Sequence, residues 1–171
     1  MIKKGETIYI KSPEFFELSY IRKLWADEKT MRDVGGAINF SKDRYKSWYE
    51  KMVKPGDGKN VYCLIFNKDD TPVGEVSFHA YDKTSKTAEF NVKIESEFRR
   101  RGYGKEAIKL MLQYYFEEFG GQVMLDEVIN EKGQEALKKF GFEVVSETKE
   151  SINFKMTKEN FKKLYKNTKN I

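Results

Sequence analysis

One stretch between residues 87 and 128 constrains the whole fold. Residues 87–94 alternate polar and apolar side chains, as a strand does. A polar loop over 95–101 ends at Gly102-Tyr103-Gly104. From there Ala107, Ile108, Met111, Leu112, Tyr115, Phe116 and Phe119 recur at three- and four-residue spacing, which predicts a helix. Gly120-Gly121 stops it, and Val123, Met124, Leu125 and Val128 make 123–128 a second strand. A strand, a helix and a strand in such close succession call for a parallel pair with a right-handed crossover. A purely antiparallel meander is thereby excluded.

The remaining elements pair locally. Residues 7–11 read as a strand. Ser12 is placed to cap a helix with Pro13 at its first position, and Phe15, Leu18, Ile21 and Trp25 form its stripe to about Ala26. Residues 27–40 are expected as a loop broken by Gly35-Gly36. Ser41 precedes a second helix striped by Tyr45, Trp48, Tyr49 and Met52. Residues 61–66 and 72–81 form a hairpin, and 72–81 turns again into 87–94. After 123–128 come a short helix over 134–140 with Gly141 at its end, a closing hairpin over 142–147 and 151–156, and a basic terminal helix from Thr157. The expected class is mixed α/β (α+β): a mostly antiparallel sheet of six to seven strands flanked by helices. The 171 residues suit one domain, with a core over 7–156 and a basic helix or tail over 157–171.

Composition removes several function classes. With one cysteine, Cys63, no disulfide within the chain and no cysteine-built zinc site are possible. His79 is the only histidine, so two-histidine metal motifs are excluded as well, and no metal is expected. Lys and Arg exceed Asp and Glu by 32 − 27 = 5, which favours anionic partners weakly. The basic residues are interleaved with acidic ones, so no nucleic-acid stripe forms. No apolar run has the length of a membrane span. The start, Met1-Ile2-Lys3-Lys4, leads into no signal-peptide core, and the expected location is the cytoplasm.

The chemistry concentrates at Arg99-Arg100-Arg101-Gly102-Tyr103-Gly104-Lys105. Two glycines between a strand and a helix let the backbone turn tightly and let a ligand approach it. The unbonded N–H groups of the new helix favour an anion, and four cationic side chains surround them. Neither glycine spacing is that of a P-loop or of the dinucleotide fingerprint. The pattern reads as a diphosphate cradle.

Arg99-x-x-Gly102-x-Gly104 resembles the R/Q-x-x-G-x-G/A motif of the GNAT superfamily of acyl-CoA N-acyltransferases. Asn130, Ala136, Lys139 and Gly141-Phe142 resemble that family's downstream N-x(5)-A-x-x-K-x-G-F segment. The resemblance spans about residues 7–156. It implies a GNAT-like sheet splayed at the cofactor site, and acetyl-CoA as co-substrate. The diphosphate would lie on backbone N–H groups from Arg100 through Gly102, Tyr103 and Gly104 to Lys105, with the side chains of Arg99, Arg100 and Arg101 facing the phosphates. The pantetheine arm would run along Val92, Lys93 and Ile94, and Asn130 would contact the arm or a following loop. The family often places a tyrosine seven residues after this asparagine, as the acid to the leaving thiolate. Leu137 stands there instead, so the reading is an acetyltransferase for an amine acceptor, small molecule or peptide, or alternatively a CoA-binding regulatory module with little turnover. Homodimers are common in the family. The pattern Trp25-x-Asp27…Gly35-Gly36 is similar to the branch of ribosomal-protein and aminoglycoside 6′-N-acetyltransferases, in which this loop between the first two helices forms the acceptor wall.

An amine acceptor must lose a proton to attack a thioester. Alternation puts Val76, Phe78, Phe90, Val92 and Ile94 on the helix-facing side of the 72–81 and 87–94 strands. Glu75, Ser77, His79, Glu89, Asn91 and Lys93 take the other side. With a turn centred on Thr84, cross-strand positions sum to 168, which pairs His79 with Glu89, Ser77 with Asn91 and Glu75 with Lys93. Glu89 and His79 are therefore the candidate base and relay. Glu75 and Asp126 come next, although Asp126 and Glu127 at a strand end read more readily as solvated charges. Cys63, in an apolar strand, reads as a small buried hydrophobe.

Overall fold

The structure is a computed structural model and describes residues 1–165. Among these residues eight strands form one sheet: β1 (Ile2–Lys4), β2 (Ile8–Lys11), β3 (Val61–Asn67), β4 (Pro72–Asp82), β5 (Thr87–Ile94), β6 (Val123–Val128), β7 (Glu143–Glu147) and β8 (Ile152–Thr157). Their order is β1-β2-β3-β4-β5-β6-β8-β7. Every pairing is antiparallel except β5 with β6, the pair that the crossover demanded. The strand beyond the expected six or seven is β1. Its Lys3 and Lys4 hide it in the sequence, and it forms because Ile2, Lys3 and Lys4 pair with Lys11, Ile10 and Tyr9.

Six α-helices among the described residues cover the sheet: α1 (Leu18–Ala26), α2 (Glu28–Met31), α3 (Tyr45–Met52), α4 (Tyr103–Tyr114), α5 (Glu131–Phe140) and α6 (Lys158–Tyr165). On one face α4 and the C-terminal elements bury Val76, Phe78, Phe90, Met111, Phe116 and Phe154. On the other, α1 and α3 bury Leu18, Ile21, Phe40, Tyr45, Tyr62 and Leu64. The sheet is covered on both sides at β3, whose Tyr62 to Phe66 are all buried; this is why that strand reads as an unbroken apolar run. Cys63 lies wholly inside, and burial pushes its thiol up to about 12, which makes it chemically inert.

Three helix starts differ from the expectation, and the simplest is α5, expected over 134–140, which already begins at Glu131 behind its Asn130 cap. Ser12 caps nothing; its hydroxyl takes the N-terminal ammonium at 3.2 Å. The entry to α1 is instead a 3₁₀ turn, Phe15–Glu17, held by a reciprocal capping box between Glu14 and Glu17. The stretch expected as a loop over 27–40 contains α2 and a further 3₁₀ turn, Arg32–Val34, because Asp27 accepts the Thr30 amide and caps α2. The terminal helix ends its described part at Tyr165, with Phe161 buried against Phe116; residues 166–171 of that expectation lie outside the described residues.

Candidate active site

The parallel pair opens after a short contact. β5 and β6 are in register only at Thr87 with Val123, Ala88 with Met124 and Glu89 with Leu125. Beyond this point Phe90 to Ile94 pair with β4 alone, and Asp126 to Val128 pair with β8 alone. The two strands diverge, and each turns a free backbone edge toward the gap. A cleft of about 770 Å³ fills the opening, between Asn91 and Val92 on one side and Asp126 and Val128 on the other, with Ala136 and Leu137 of α5 as a wall. Exposed strand edges of this kind accept an extended chain as a further strand would.

β5, one wall of the cleft, leads on in sequence to the glycine turn. After Ile94 the chain passes through Arg100 (φ 64°) and Gly102 (φ 81°), both left-handed, before α4 begins. Successive backbone amides in such turns form an anion-binding concavity. The first helical bond runs from the Glu106 amide to the Gly102 carbonyl at 3.2 Å, and no side chain among the described residues caps the helix. The amides of Tyr103, Gly104 and Lys105 therefore point out of the helix end. Gly104 is informative because the protein does not require it. A Cβ there would meet only Ile94 Cγ1, at 3.5 Å, and glycine in a helix costs about 1 kcal/mol relative to alanine. The bare backbone thus leaves room for something outside the chain, and with Arg100, Arg101 and Lys105 nearby in sequence it fits a diphosphate.

Arg99 has a different setting from the expected phosphate contact. Its guanidinium donates to the carbonyls of Thr30, at 2.8 Å, and Ile94, at 3.1 Å, and lies 3.6 Å from the Asp33 carboxylate. Arg101 lies over the Phe98 ring, 5.4 Å from its centre. Lys93 turns its ammonium to Glu75, at 2.6 Å, so only its backbone faces the opening as part of β5. Asn130 caps α5 by accepting the Gly133 amide at 2.6 Å and donates to the Asp33 carbonyl at 3.1 Å. Arg99 and Asn130, one from each sequence motif, thus grip the same 30–33 segment. Ser96 adds a third bond, from its amide to the Thr30 hydroxyl at 2.9 Å.

On the opposite face the register is that of the 168 sum: His79 with Glu89, Ser77 with Asn91, Glu75 with Lys93. His79 and Glu89 both line the cleft. Burial lowers the His79 pKa, with Glu89 pulling the other way, so the imidazole is neutral at pH 7. Glu75 is not at the cleft. It is 1% exposed and accepts from Trp25 Nε1 at 2.7 Å, Asn91 Nδ2 at 3.1 Å, Lys93 Nζ at 2.6 Å and the Tyr62 hydroxyl. Cross-strand alternation pairs Glu75 with Lys93, but no sequence signal brings Trp25 of α1 and Tyr62 of β3 to the same carboxylate. Asp126 also differs from a solvated charge. Burial pushes its carboxyl up to about 8; the Glu127 amide opposes this, while the Glu127 and Glu89 charges add to it. The cleft walls carry the acidic side chains of Asp33, Glu89, Asp126 and Glu127, and among the described residues no Lys or Arg lines it.

The comparisons agree with this architecture. Residues 13–143 match the family model described as the acetyltransferase (GNAT) domain. Among solved structures, the chain is similar to spermidine N-acetyltransferase from Vibrio cholerae, in complex with CoA and spermine, at 17% identity and a TM-score of 0.81, covering 91% of this chain and 98% of that one. FdhC, a nucleotide-linked sugar GNAT, matches at 22% identity and a TM-score of 0.81 over 95% of this chain and 93% of that one. A GNAT-family acetyltransferase from Bacillus anthracis matches at 19% identity and a TM-score of 0.76, over 93% and 99%. With a matched domain over most of its length, a parted parallel strand pair and a bare glycine turn at the head of α4, the chain belongs to the GNAT acetyltransferase family and is an N-acetyltransferase that takes its acetyl group from a CoA thioester.

Proposed function

We propose that this protein acetylates a cationic primary amine, of the polyamine class, by direct attack on acetyl-CoA in a ternary complex. The observation that carries this reading is the charge asymmetry of the seam. The cationic turn of 99–105 follows the end of β5; beside β5 is a cleft lined by the carboxylates of Glu89, Glu127 and Asp33, the last 3.6 Å from Arg99, by the buried carboxyl of Asp126 and, among the described residues, by no Lys or Arg. An anionic cofactor and a cationic acceptor are thereby sorted before they meet. Relatives of this fold act on acceptors as different as spermidine and nucleotide-linked sugars; the acidic walls favour the former chemistry over an anionic sugar nucleotide.

Bound acetyl-CoA supplies the activated acyl group. The amides of Arg101 to Lys105 would hold its diphosphate, with Arg100, Arg101 and Lys105 as counter-charges. The free edge at Val92, Lys93 and Ile94 would align the pantetheine arm, and a backbone N–H of β5 would polarise the thioester carbonyl. Leu137, Ala136 and Ile108 make that side apolar. An alkylamine resembles the lysine side chain, with a pKa of about 10.4, and must be deprotonated at neutral pH. Glu89 is placed to take that proton directly or through neutral His79, its cross-strand partner.

The test is release of free thiol from acetyl-CoA with a panel of polyamines, aminoglycosides, amino acids and peptides. Polyamines should turn over fastest. Glu89→Gln should lower kcat by roughly 10²–10⁴, the usual worth of a general base, with acetyl-CoA affinity unchanged by calorimetry. His79→Ala should lower it less. Tight acetyl-CoA binding with no thiol released by any cationic amine would overturn the acceptor assignment.

A further inference from the structure

A thioester aminolysis moves two protons. One leaves the amine nitrogen, and one must reach the departing sulfur. The proposed function accounts for the first. The residue expected to handle the second is absent, because Leu137 is apolar and carries no proton.

β6 supplies another group on the same side. Its burial alternates: Met124 is buried, Leu125 exposed, Asp126 half-buried, Glu127 exposed and Val128 half-buried. Met124, Asp126 and Val128 therefore share the inward face. Their cross-strand partners on β8 are Met156, Phe154 and Ile152, all buried. Asp126 thus projects to the α4 and α5 side of the sheet, where Ile108, Ala136 and Leu137 wall the cleft. It is also the first residue of β6 after Leu125, the last to pair with β5, so it stands where the strands part. Glu127 faces the other way, and its carboxylate accepts the Ser151 hydroxyl at 2.7 Å.

We propose that Asp126 is the general acid that protonates the leaving CoA sulfur. The inference rests on the acetyl-transfer reading. The carbon–sulfur bond breaks, its electron pair goes to sulfur, and the Asp126 carboxyl proton follows, giving free CoA thiol and an Asp126 carboxylate. Solvent in the open cleft then returns the proton. The amine proton leaves on the opposite face, through Glu89 or His79, so base and acid flank the seam from its two sides. The environment keeps Asp126 in the form the role needs. Glu127 on its own strand and Glu89 on β5 disfavour its ionisation; Lys93 on β5 favours it weakly, and burial outweighs that, holding the carboxyl at about 8. His79 and Asp33 are the other titratable groups of the cleft among the described residues. The parts of α4, α5 and β8 that line it contribute no charge.

Two measurements test this. The first follows the Asp126 carboxyl by ¹³C NMR against pH, with Asp126→Asn to assign the signal. A midpoint near 8 is expected in the free protein; a midpoint of about 4, the ordinary aspartate value, would leave no proton to donate at neutral pH and overturn the proposal. This arm needs no acceptor amine, so it stands even if the acetyl-transfer reading fails. The second compares kcat against pH for wild type and Asp126→Asn. The substitution should lower kcat by about 10²-fold, the lower end for acid–base catalysis, leave acetyl-CoA affinity unchanged, and remove an alkaline limb centred near pH 8. Unchanged kcat with the limb intact, or lost acetyl-CoA affinity in place of lost turnover, would overturn the assignment.

Discussion

Glu75 and Asp126 are both carboxyls drawn out of water by the same sheet, and they are treated in opposite ways. Glu75 lies beneath α1, where Trp25, Tyr62, Asn91 and Lys93 all donate to it. Asp126 lies at the mouth of the β5–β6 opening, among Phe154, Leu137 and Ile108, and the hydrogen bond that favours its charged form comes from the Glu127 backbone. A buried carboxylate with its lone pairs filled is a structural joint, since moving any partner leaves a group unsatisfied. A buried carboxyl with few partners and access to a cleft is chemically available. Side-chain type does not separate the two cases; the surrounding donors do.

The largest effect is expected from Glu75→Ala. It would strip four donors of their acceptor, including the ammonium of Lys93, which is only 13% exposed. Removing one partner of such a pair costs about 3–5 kcal/mol. At about 2–4 °C per kcal/mol for a domain of this size, Tm should fall by roughly 10 °C or more in a thermal melt. A melt that did not move would mean the hub holds nothing together.

The second effect is smaller and has a definite sign. The Asp126 carboxyl is raised to about 8 in the folded protein from an ordinary 3.8. Between those values the folded chain keeps a proton that the unfolded chain has lost, so stability must fall as pH rises. The contribution is fully present below pH 4 and lost by about pH 8. Asp126→Asn has no such slope. The Tm of the variant minus that of wild type should therefore grow from pH 4 to 8 and then level off. Every tenfold change in the protonation equilibrium is worth about 1.4 kcal/mol, a few degrees in Tm. A constant difference across that range would place Asp126 with the solvated charges.

These two residues also mark where the sequence can be read and where it cannot. The β4–β5 register is legible because a hairpin fixes it locally, and the irregularity between His79 and Asp82 is confined to the turn. The opening of β5 and β6 follows from the two motifs. Glu75 is visible as a polar position, but its donors come from α1, β3 and β5, and nothing local announces such a convergence. Asp126 reads in sequence as a strand-end charge because its burial depends on β8 and α5 closing over it. β1 escapes a sequence reading for a similar reason: three residues with two lysines become a strand only when a neighbour is there to pair with.

At the cofactor end the comparison is between a glycine the fold needs and one it does not. Gly121 is needed, since a Cβ would fall 2.0 Å from the Tyr115 ring. Gly104 has room for a side chain within the protein. Gly104→Val should keep the fold, and Tm with it, while weakening acetyl-CoA binding about tenfold, or 1.4 kcal/mol, by calorimetry. An unchanged affinity in the folded variant would remove the diphosphate from this turn.

The smallest expected effect separates two roles for Arg99. Its place in the glycine motif suggests a phosphate contact, whereas its hydrogen bonds tie β5 to the Thr30–Asp33 segment. Arg99→Lys keeps the charge but loses the planar fork that reaches two carbonyls at once. If the side chain serves the phosphates, acetyl-CoA affinity should drop and the deficit should shrink as salt screens the pair. If it anchors the acceptor wall, acetyl-CoA affinity should hold within about twofold. The KM for the amine should then rise, because one or two hydrogen bonds at about 0.5–1.5 kcal/mol each no longer fix the wall beside the cleft. The expected change is about three- to tenfold in amine KM, with kcat little altered. Asn130, which holds the Asp33 carbonyl from the other side, should behave alike on substitution by Ser, which retains a helix cap but is too short to bridge to Asp33. A fall in acetyl-CoA affinity in both variants, with amine KM unmoved, would return Arg99 to the phosphates and leave the acceptor wall held by Ser96 and Thr30 alone.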